Sequence, residues 1–318
     1  CAEGRLHAVK AALLYAPGDL RVEEVPRPEP GPGDVLVQIE VALTDGTDLK
    51  TFRRGHPVLA RESPAPFGHE FCGIVDGRRV VAANSAPCGA CDGCAQGEQC
   101  RELAFLAGAY ADWIVVPARI AAVNLHDVPP GVEPEVAAMV EPLACCLRGV
   151  ERAEIHAGDT VAILGAGPIG LMLAACVADA GGWPVVVGGR PERQELVELF
   201  GAESGAGSGA DVVIEAVGGD AAWTDAVELV RPGGRVVMFG GLPRDASPPV
   251  DAYRLHYEEL TVRGSFHHTP ATVRAALGFL ASGAYPWERL VTHRVLLDEL
   301  PRLFADPPRD LLKAAVVP

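Results

Sequence analysis

Between Val35 and Val41 the apolar side chains Val35, Val37, Ile39 and Val41 recur at every second position, with Gln38 and Glu40 between them. That period belongs to a strand with one face in a core and the other toward water. Shorter β-rich runs follow at 71–75, 79–83 and 111–116, separated by Gly, Pro and Asn. Three prolines between Arg27 and Gly33 predict a loop. The first third therefore reads as a small, irregular β-barrel.

Past Pro129-Pro130-Gly131 the rhythm changes. A helix is expected over 135–152, then a strand at 160–164, a helix at 169–180, a strand at 184–187 and a helix at 191–200. Strands at 211–215 and 234–239 follow, with a helix near 222–230 between them, and a last strand at 260–265. Short apolar strands alternating with helices imply a parallel sheet covered on both faces. Helices near 271–282 and 298–304, then 311–317, are expected to return to the first domain. The expected division is 1–140, 141–270, and 271–318 as the returning segment. Only 201–209 is of low complexity.

Composition narrows the possible partners. The chain has 318 residues, 27 basic against 42 acidic, for a formal charge of −15. Such a balance argues against nucleic acid, which needs a basic face. The run Thr160–Ala178 carries no charge and nominally reaches across a bilayer. Gly165, Gly167, Pro168 and Gly170 near its middle make it strand, tight turn and helix instead, so no membrane partner is expected. The N-terminus lacks a basic region followed by an apolar stretch, which leaves a cytoplasmic protein as the expectation.

Three constellations carry chemistry. Gly165-Ala166-Gly167-Pro168-Ile169-Gly170 fits G-x-G-x-x-G after one predicted strand and at the opening of a helix. There the glycines allow a tight turn, close approach of a pyrophosphate and close helix–strand packing. The second predicted strand ends in Val187-Gly188-Gly189-Arg190, with no acid before Glu192. A guanidinium without a neighbouring carboxylate suits a 2′-phosphate, so NADP is favoured over NAD. Arg190 stacked on adenine, or capping the next helix, is the plainer alternative.

Cys88, Cys91, Cys94 and Cys100 are four of nine cysteines and fall within thirteen residues. They are enough for a closed, structural zinc site, an iron–sulfur cluster being the alternative. The scattered Cys145, Cys146 and Cys176 read as small buried hydrophobes. The third constellation is Gly68-His69-Glu70, with Thr44-Asp45-Gly46-Thr47-Asp48 upstream and Glu141-Pro142 downstream. His69 offers an imidazole, while Asp45, Glu70 and Glu141 offer carboxylates. Glu141 lies in an apolar stretch where an unpaired charge is expensive. The plain reading of His69-Glu70 is a surface pair in a loop.

Taken in order, these motifs resemble the medium-chain, zinc-dependent alcohol/polyol dehydrogenases, the group that includes sorbitol (L-iditol) and threonine dehydrogenases. The resemblance runs from Lys10 to Pro318. It implies a GroES-like β-barrel catalytic domain built from both chain ends, plus a Rossmann doubly wound parallel sheet. It makes Asp45, His69, Glu70 and Glu141 candidate ligands of a catalytic metal, Glu70 either as ligand or as close neighbour. Thr47 falls at the hydroxyl that relays the alcohol proton, and Lys313 near a basic residue that contacts cofactor phosphates. The implied cofactors are Zn²⁺ and NADP or NAD. The implied reaction interconverts a secondary alcohol, polyol or sugar-like, and a ketone in a homodimer or homotetramer.

Four departures stand out. Asp45 occupies the position of the family's catalytic-zinc cysteine, and a carboxylate there shifts metal preference toward Mn²⁺ or Co²⁺. The last gap of the cysteine cluster is short. A strand and helix after Gly201 are trimmed, so about five strands are expected in the sheet. The turn within Val75–Val80 is also short, and residues 1–8 precede the family's usual start. Asp45 and the trimmed sheet leave open a nucleotide-binding protein that has lost the catalytic metal and turnover. A metal-free quinone or enone reductase would need neither His69 nor Glu141. His56, His267, His268 and Trp287 are candidates for the substrate pocket, and equally for packing or surface roles.

Overall fold

The structure, a computed structural model, describes residues 8–55, 60 and 62–318; His56 falls outside them. The described residues divide into two compact units, those up to Glu141 with Val273–Pro318, and Pro142–Thr272.

The first unit is organised on Val35–Leu43. Val37, Ile39 and Val41 are buried as the alternation predicts, and Ala42 and Leu43 bury the end of the strand completely. This strand pairs antiparallel with Glu70–Val75, with Trp113–Val116 and with Lys313–Val317. The last strand of the chain is therefore a neighbour of the third. Phe304, on the late helix Leu300–Ala305, packs against Phe52 and Phe67 with ring centroids 5.7 and 5.4 Å apart. Burying a ring of this kind is what holds the returning segment; truncating one to alanine typically costs about 3–5 kcal/mol.

Several elements lay outside the sequence expectations. Ala8–Ala16 and Asp19–Pro26 form an antiparallel hairpin. Val291–Leu296 pairs in parallel with Lys313–Val317. The helix Gly46–Arg54 follows Leu43 almost at once.

The second unit is a six-stranded parallel sheet. Its spatial order is Glu203–Ser204, Trp183–Val187, Thr160–Leu164, Ala210–Glu215, Val230–Met238, Thr261–Gly264. Numbered along the chain this is 3-2-1-4-5-6, the doubly wound nucleotide-binding order. The expected five strands become six. The extra strand is two exposed residues long, joined through Val185↔Glu203 and Val186↔Ser204, and so short an edge leaves no hydrophobic signature. The helix expected over 135–152 is two helices, Pro134–Ala137 and Val140–Ala153. The one expected over 191–200 opens with a 3₁₀ turn, Pro191–Arg193. No described helix is long and apolar enough to cross a membrane.

Candidate functional site

The candidate metal cluster grows from two strand ends of the first unit. Leu43 closes one strand, and Asp45 is the N-cap of the next helix: its Oδ1 accepts from the Asp48 N–H at 2.9 Å. The cap fixes the carboxylate, since it satisfies one of the helix's four orphan N–H groups. Glu70 begins the strand beside it, and register pairs Glu70 directly with Leu43. The backbone thus brings the two motifs together. Asp45 Oδ1 lies 4.0 Å from His69 Nε2, and ligand atoms of Asp45, His69 and Glu70 all fall within 4.8 Å of one another.

His69 is aimed by a residue for which the sequence suggested no role. Asp48 Oδ1 accepts from His69 Nδ1 at 2.9 Å. This fixes the tautomer and leaves Nε2 toward Asp45, the arrangement in which a carboxylate orients a metal-binding imidazole. The other Asp48 oxygen accepts from the Tyr110 hydroxyl. Burial and the Asp48 charge hold the Tyr110 phenol well above its ordinary range, so it stays a donor. Thr47 is half-buried on the first turn of the same helix.

Electrostatically the cluster is short of positive charge. Asp48, Glu70 and Glu141 are buried and the Asp45 side chain is 10% exposed, against one ammonium, Lys313, and one imidazole. Burial pulls the His69 imidazole down, but Asp48, Asp45 and Glu141 outweigh it and hold it well above its ordinary value. Burial pushes the Glu70 carboxyl well above the usual carboxylate range, with the Lys313 charge opposing. At Asp45 burial also acts upward, yet the charges of His69 and Lys313 and the Thr47 and Asp48 N–H groups hold it below its ordinary value. A divalent cation fits this donor set. It would supply the missing charge, and the two carboxylates and one imidazole of Asp45, Glu70 and His69 suit a metal harder than thiolate sites select.

The expectation for Lys313 is corrected. Lys313 is 1% exposed, and its Nζ donates to Glu70 Oε2 and Oε1 at 2.6 and 2.8 Å and to the Thr44 carbonyl at 3.2 Å. An ammonium has three protons, so none remains for a cofactor phosphate. The strand pairing that buries the end of the chain carries Lys313 into the metal cluster instead.

The four clustered cysteines form a separate group in the same unit. None is in a disulfide, and Sγ separations are 3.6 Å for Cys91–Cys94 and 3.9 Å for Cys88–Cys94 and Cys91–Cys100. A tetrahedral zinc with metal–sulfur bonds of about 2.3 Å has edges of roughly 3.8 Å. The sulfurs also accept backbone N–H groups, from Cys91 and Ala90 to Cys88 and from Cys88 and Glu102 to Cys100. N–H groups at Arg101 and Cys94 bring the Cys91 thiol down to about 6, while burial pushes Cys94 up to about 11. Such a set fits a closed zinc site. The Arg119 guanidinium ties the loop down from outside by donating to the Pro87 and Glu102 carbonyls.

In the second unit, Gly165–Gly170 sits at the sheet's switch point, at the end of Thr160–Leu164, which lies between Trp183–Val187 and Ala210–Glu215. Gly165 N–H donates to Val187 O at 3.0 Å, and Ala216 N–H to Leu164 O at 3.2 Å. A Cβ on Gly170 would lie 1.8 Å from the Gly165 carbonyl oxygen, so only glycine allows the helix Pro168–Asp179 to start so close. Gly167 is its N-cap and brings no side chain to the first turn, which suits an anion. Arg190 is exposed just beyond the second strand. Arg193, which sequence reasoning passed over, donates to the Ala166 carbonyl at 2.9 Å inside the fingerprint. Burial, and then the nearby Arg190 charge, hold its guanidinium below its ordinary value.

Known proteins resemble both units. Residues 31–129 match the alcohol dehydrogenase GroES-like domain, and 168–282 match the zinc-binding dehydrogenase domain. An erythritol/L-threitol dehydrogenase of Mycolicibacterium smegmatis is 31% identical over 92% of each chain. The chain belongs to the zinc-dependent medium-chain alcohol/polyol dehydrogenase family. A sorbitol dehydrogenase of Halalkalibacterium halodurans is 30% identical, over 90% of this chain and 91% of its own. A zinc-binding dehydrogenase of Sinorhizobium meliloti, solved bound to NADP, superposes with a TM-score of 0.87 at 31% identity, over 98% of this chain and 99% of the other. This medium-chain dehydrogenase is accordingly an enzyme, an NAD(P)-linked oxidoreductase of the alcohol dehydrogenase type.

Proposed function

We propose that this dehydrogenase interconverts a polyol- or sugar-like secondary alcohol and its ketone, with a divalent metal held by Asp45, His69, Glu70 and Glu141 and with NADP as the favoured dinucleotide. The observation that carries the proposal is the convergence of Asp45, His69 and Glu70 with His69 Nδ1 already committed to Asp48. A merely structural histidine has no need of two further carboxylates beside it.

When bound, the cation supplies Lewis acidity toward an alcohol and the dinucleotide supplies a hydride acceptor. The chain's own residues do the rest. Asp48 engages Nδ1, so that Nε2 is the nitrogen left to face the cation. The helix cap holds Asp45 in place, and Lys313 holds Glu70 by both oxygens. The Thr47 hydroxyl passes the substrate proton onward. In the other unit, the N-terminus of Pro168–Asp179 receives the pyrophosphate, and Arg190 with Arg193 receives the 2′-phosphate. Support for the substrate class comes from relatives named for erythritol, threitol and sorbitol. The solved relative bound to NADP supports the cofactor.

A spectrophotometric screen of polyols with NAD and NADP, with and without added Zn²⁺ or Mn²⁺, tests the reading. Metal-stimulated reduction of a dinucleotide by a polyol is the expected result. Absence of turnover under every condition returns the protein to a cofactor-binding scaffold.

A further inference from the structure

Tyr110 touches the two chain segments that carry Asp45 and His69-Glu70, yet it lies in neither motif. It is 1% exposed, its ring packed with Phe67 and Phe304 at 5.6 and 6.2 Å. Its hydroxyl lies 3.0 Å from the Leu43 carbonyl, two residues before Asp45, and donates to Asp48 Oδ2. One proton cannot serve two acceptors, and the charged one makes the stronger bond. Its ring closes over Gly68, just before His69-Glu70: a Cβ there would lie 2.6 Å from the ring. Main-chain bonds from Tyr110 N–H to Phe67 O at 3.0 Å, and from Ala109 and Gly108 N–H to Gly68 O, seat it on the same turn. A phenylalanine would fill this space equally well. Packing alone therefore does not account for the hydroxyl, which reaches the one carboxylate that aims His69.

We infer that Tyr110 is a positioning residue for the metal cluster, its hydroxyl holding the Asp48 carboxylate in the rotamer that accepts from His69 Nδ1. The inference rests on the metal-dependent reading above. Without the hydroxyl, Asp48 Oδ2 loses its donor in a buried place and the carboxylate is free to turn, loosening the imidazole one step further on.

The test is Co²⁺ titration of metal-depleted protein, with thiolate-to-cobalt absorption reporting the cysteine cluster separately. Tyr110→Phe is expected to raise the dissociation constant at the His69 cluster by about 10–100-fold. Binding at the cysteines should stay near wild type. Affinity within twofold of wild type at the His69 cluster overturns the inference. Asp48→Asn should weaken binding similarly, and Tyr110→Phe in that background should add nothing; additive losses mean that Tyr110 does not act through Asp48. Should Tyr110→Phe fail to fold, unchanged affinity in Asp48→Asn decides against the inference by itself. A wild-type protein that takes up no Co²⁺ beyond the cysteine cluster instead removes the metal-dependent reading on which it stands.

Discussion

Lys313 Nζ is bonded to both carboxylate oxygens of Glu70, at 2.6 and 2.8 Å, with 1% and 0% of the two side chains exposed. The two residues stand 243 positions apart in the chain, and their pairing ties the returning strand to the metal cluster. Burial lowers the tendency of Lys313 to hold its proton, but Glu70, Asp45 and Asp48 more than reverse that, so the ammonium stays charged. Removing it leaves buried carboxylates without their cation. Lys313→Met is expected to cost about 3–5 kcal/mol of stability, read by urea denaturation. A loss under about 1 kcal/mol, the range of an exposed pair, would show that the pair is not needed to hold the chain end.

Asp45 in place of a thiolate should be visible in metal choice. Protein equilibrated with equal Zn²⁺ and Mn²⁺ is expected to carry one zinc at the cysteines and a mixed second site. Asp45→Cys should shift that second site toward zinc, because the thiolate is the softer donor. Elemental analysis decides, and an unchanged Zn/Mn ratio in the variant would mean that Asp45 is not a ligand. A single zinc per chain in the wild type, with nothing at the His69 cluster, would refute metal retention there.

For the dinucleotide, Arg190→Ala and Arg193→Ala should each lower the NADP/NAD ratio of kcat/KM. A hydrogen bond to a charged group is worth about 1.5–3 kcal/mol, which corresponds to roughly 10–100-fold. If the ratio stays constant in both variants, neither guanidinium reads a 2′-phosphate. Arg193 has a second task, its bond to the Ala166 carbonyl, so its variant should also raise KM for NAD while Arg190→Ala does not.

The cysteine cluster predicts a local rather than a catalytic defect. Cys91→Ser should remove one zinc equivalent and expose 87–102 to proteolysis, since four sulfurs around an ion and the Arg119 bonds are what order that loop. Zinc content and cleavage mapping by mass spectrometry read it. An intact loop in zinc-depleted protein would count against the structural assignment.

Local pattern was enough for much of this protein. Alternation marked Val35–Leu43, and the apolar run before Gly165 marked Thr160–Leu164 to the residue. Gly165–Gly170 carried its own chemistry, because turn, helix start and close packing are all decided within six neighbouring positions. Cys88–Cys100 was legible for the same reason: every donor lies within one loop. What the amino-acid order alone did not reveal depends on partners far along the chain. The edge strand Glu203–Ser204 exists only through its neighbour's backbone. Lys313 reaches Glu70, not a phosphate, because pairing of Ala315 with Leu43 carries it there. Asp48 and Tyr110 became visible only once strand register set Leu43, Gly68 and the helix cap beside one another. Hydrogen bonds across such distances leave no spacing in the sequence, and burial makes each of them matter.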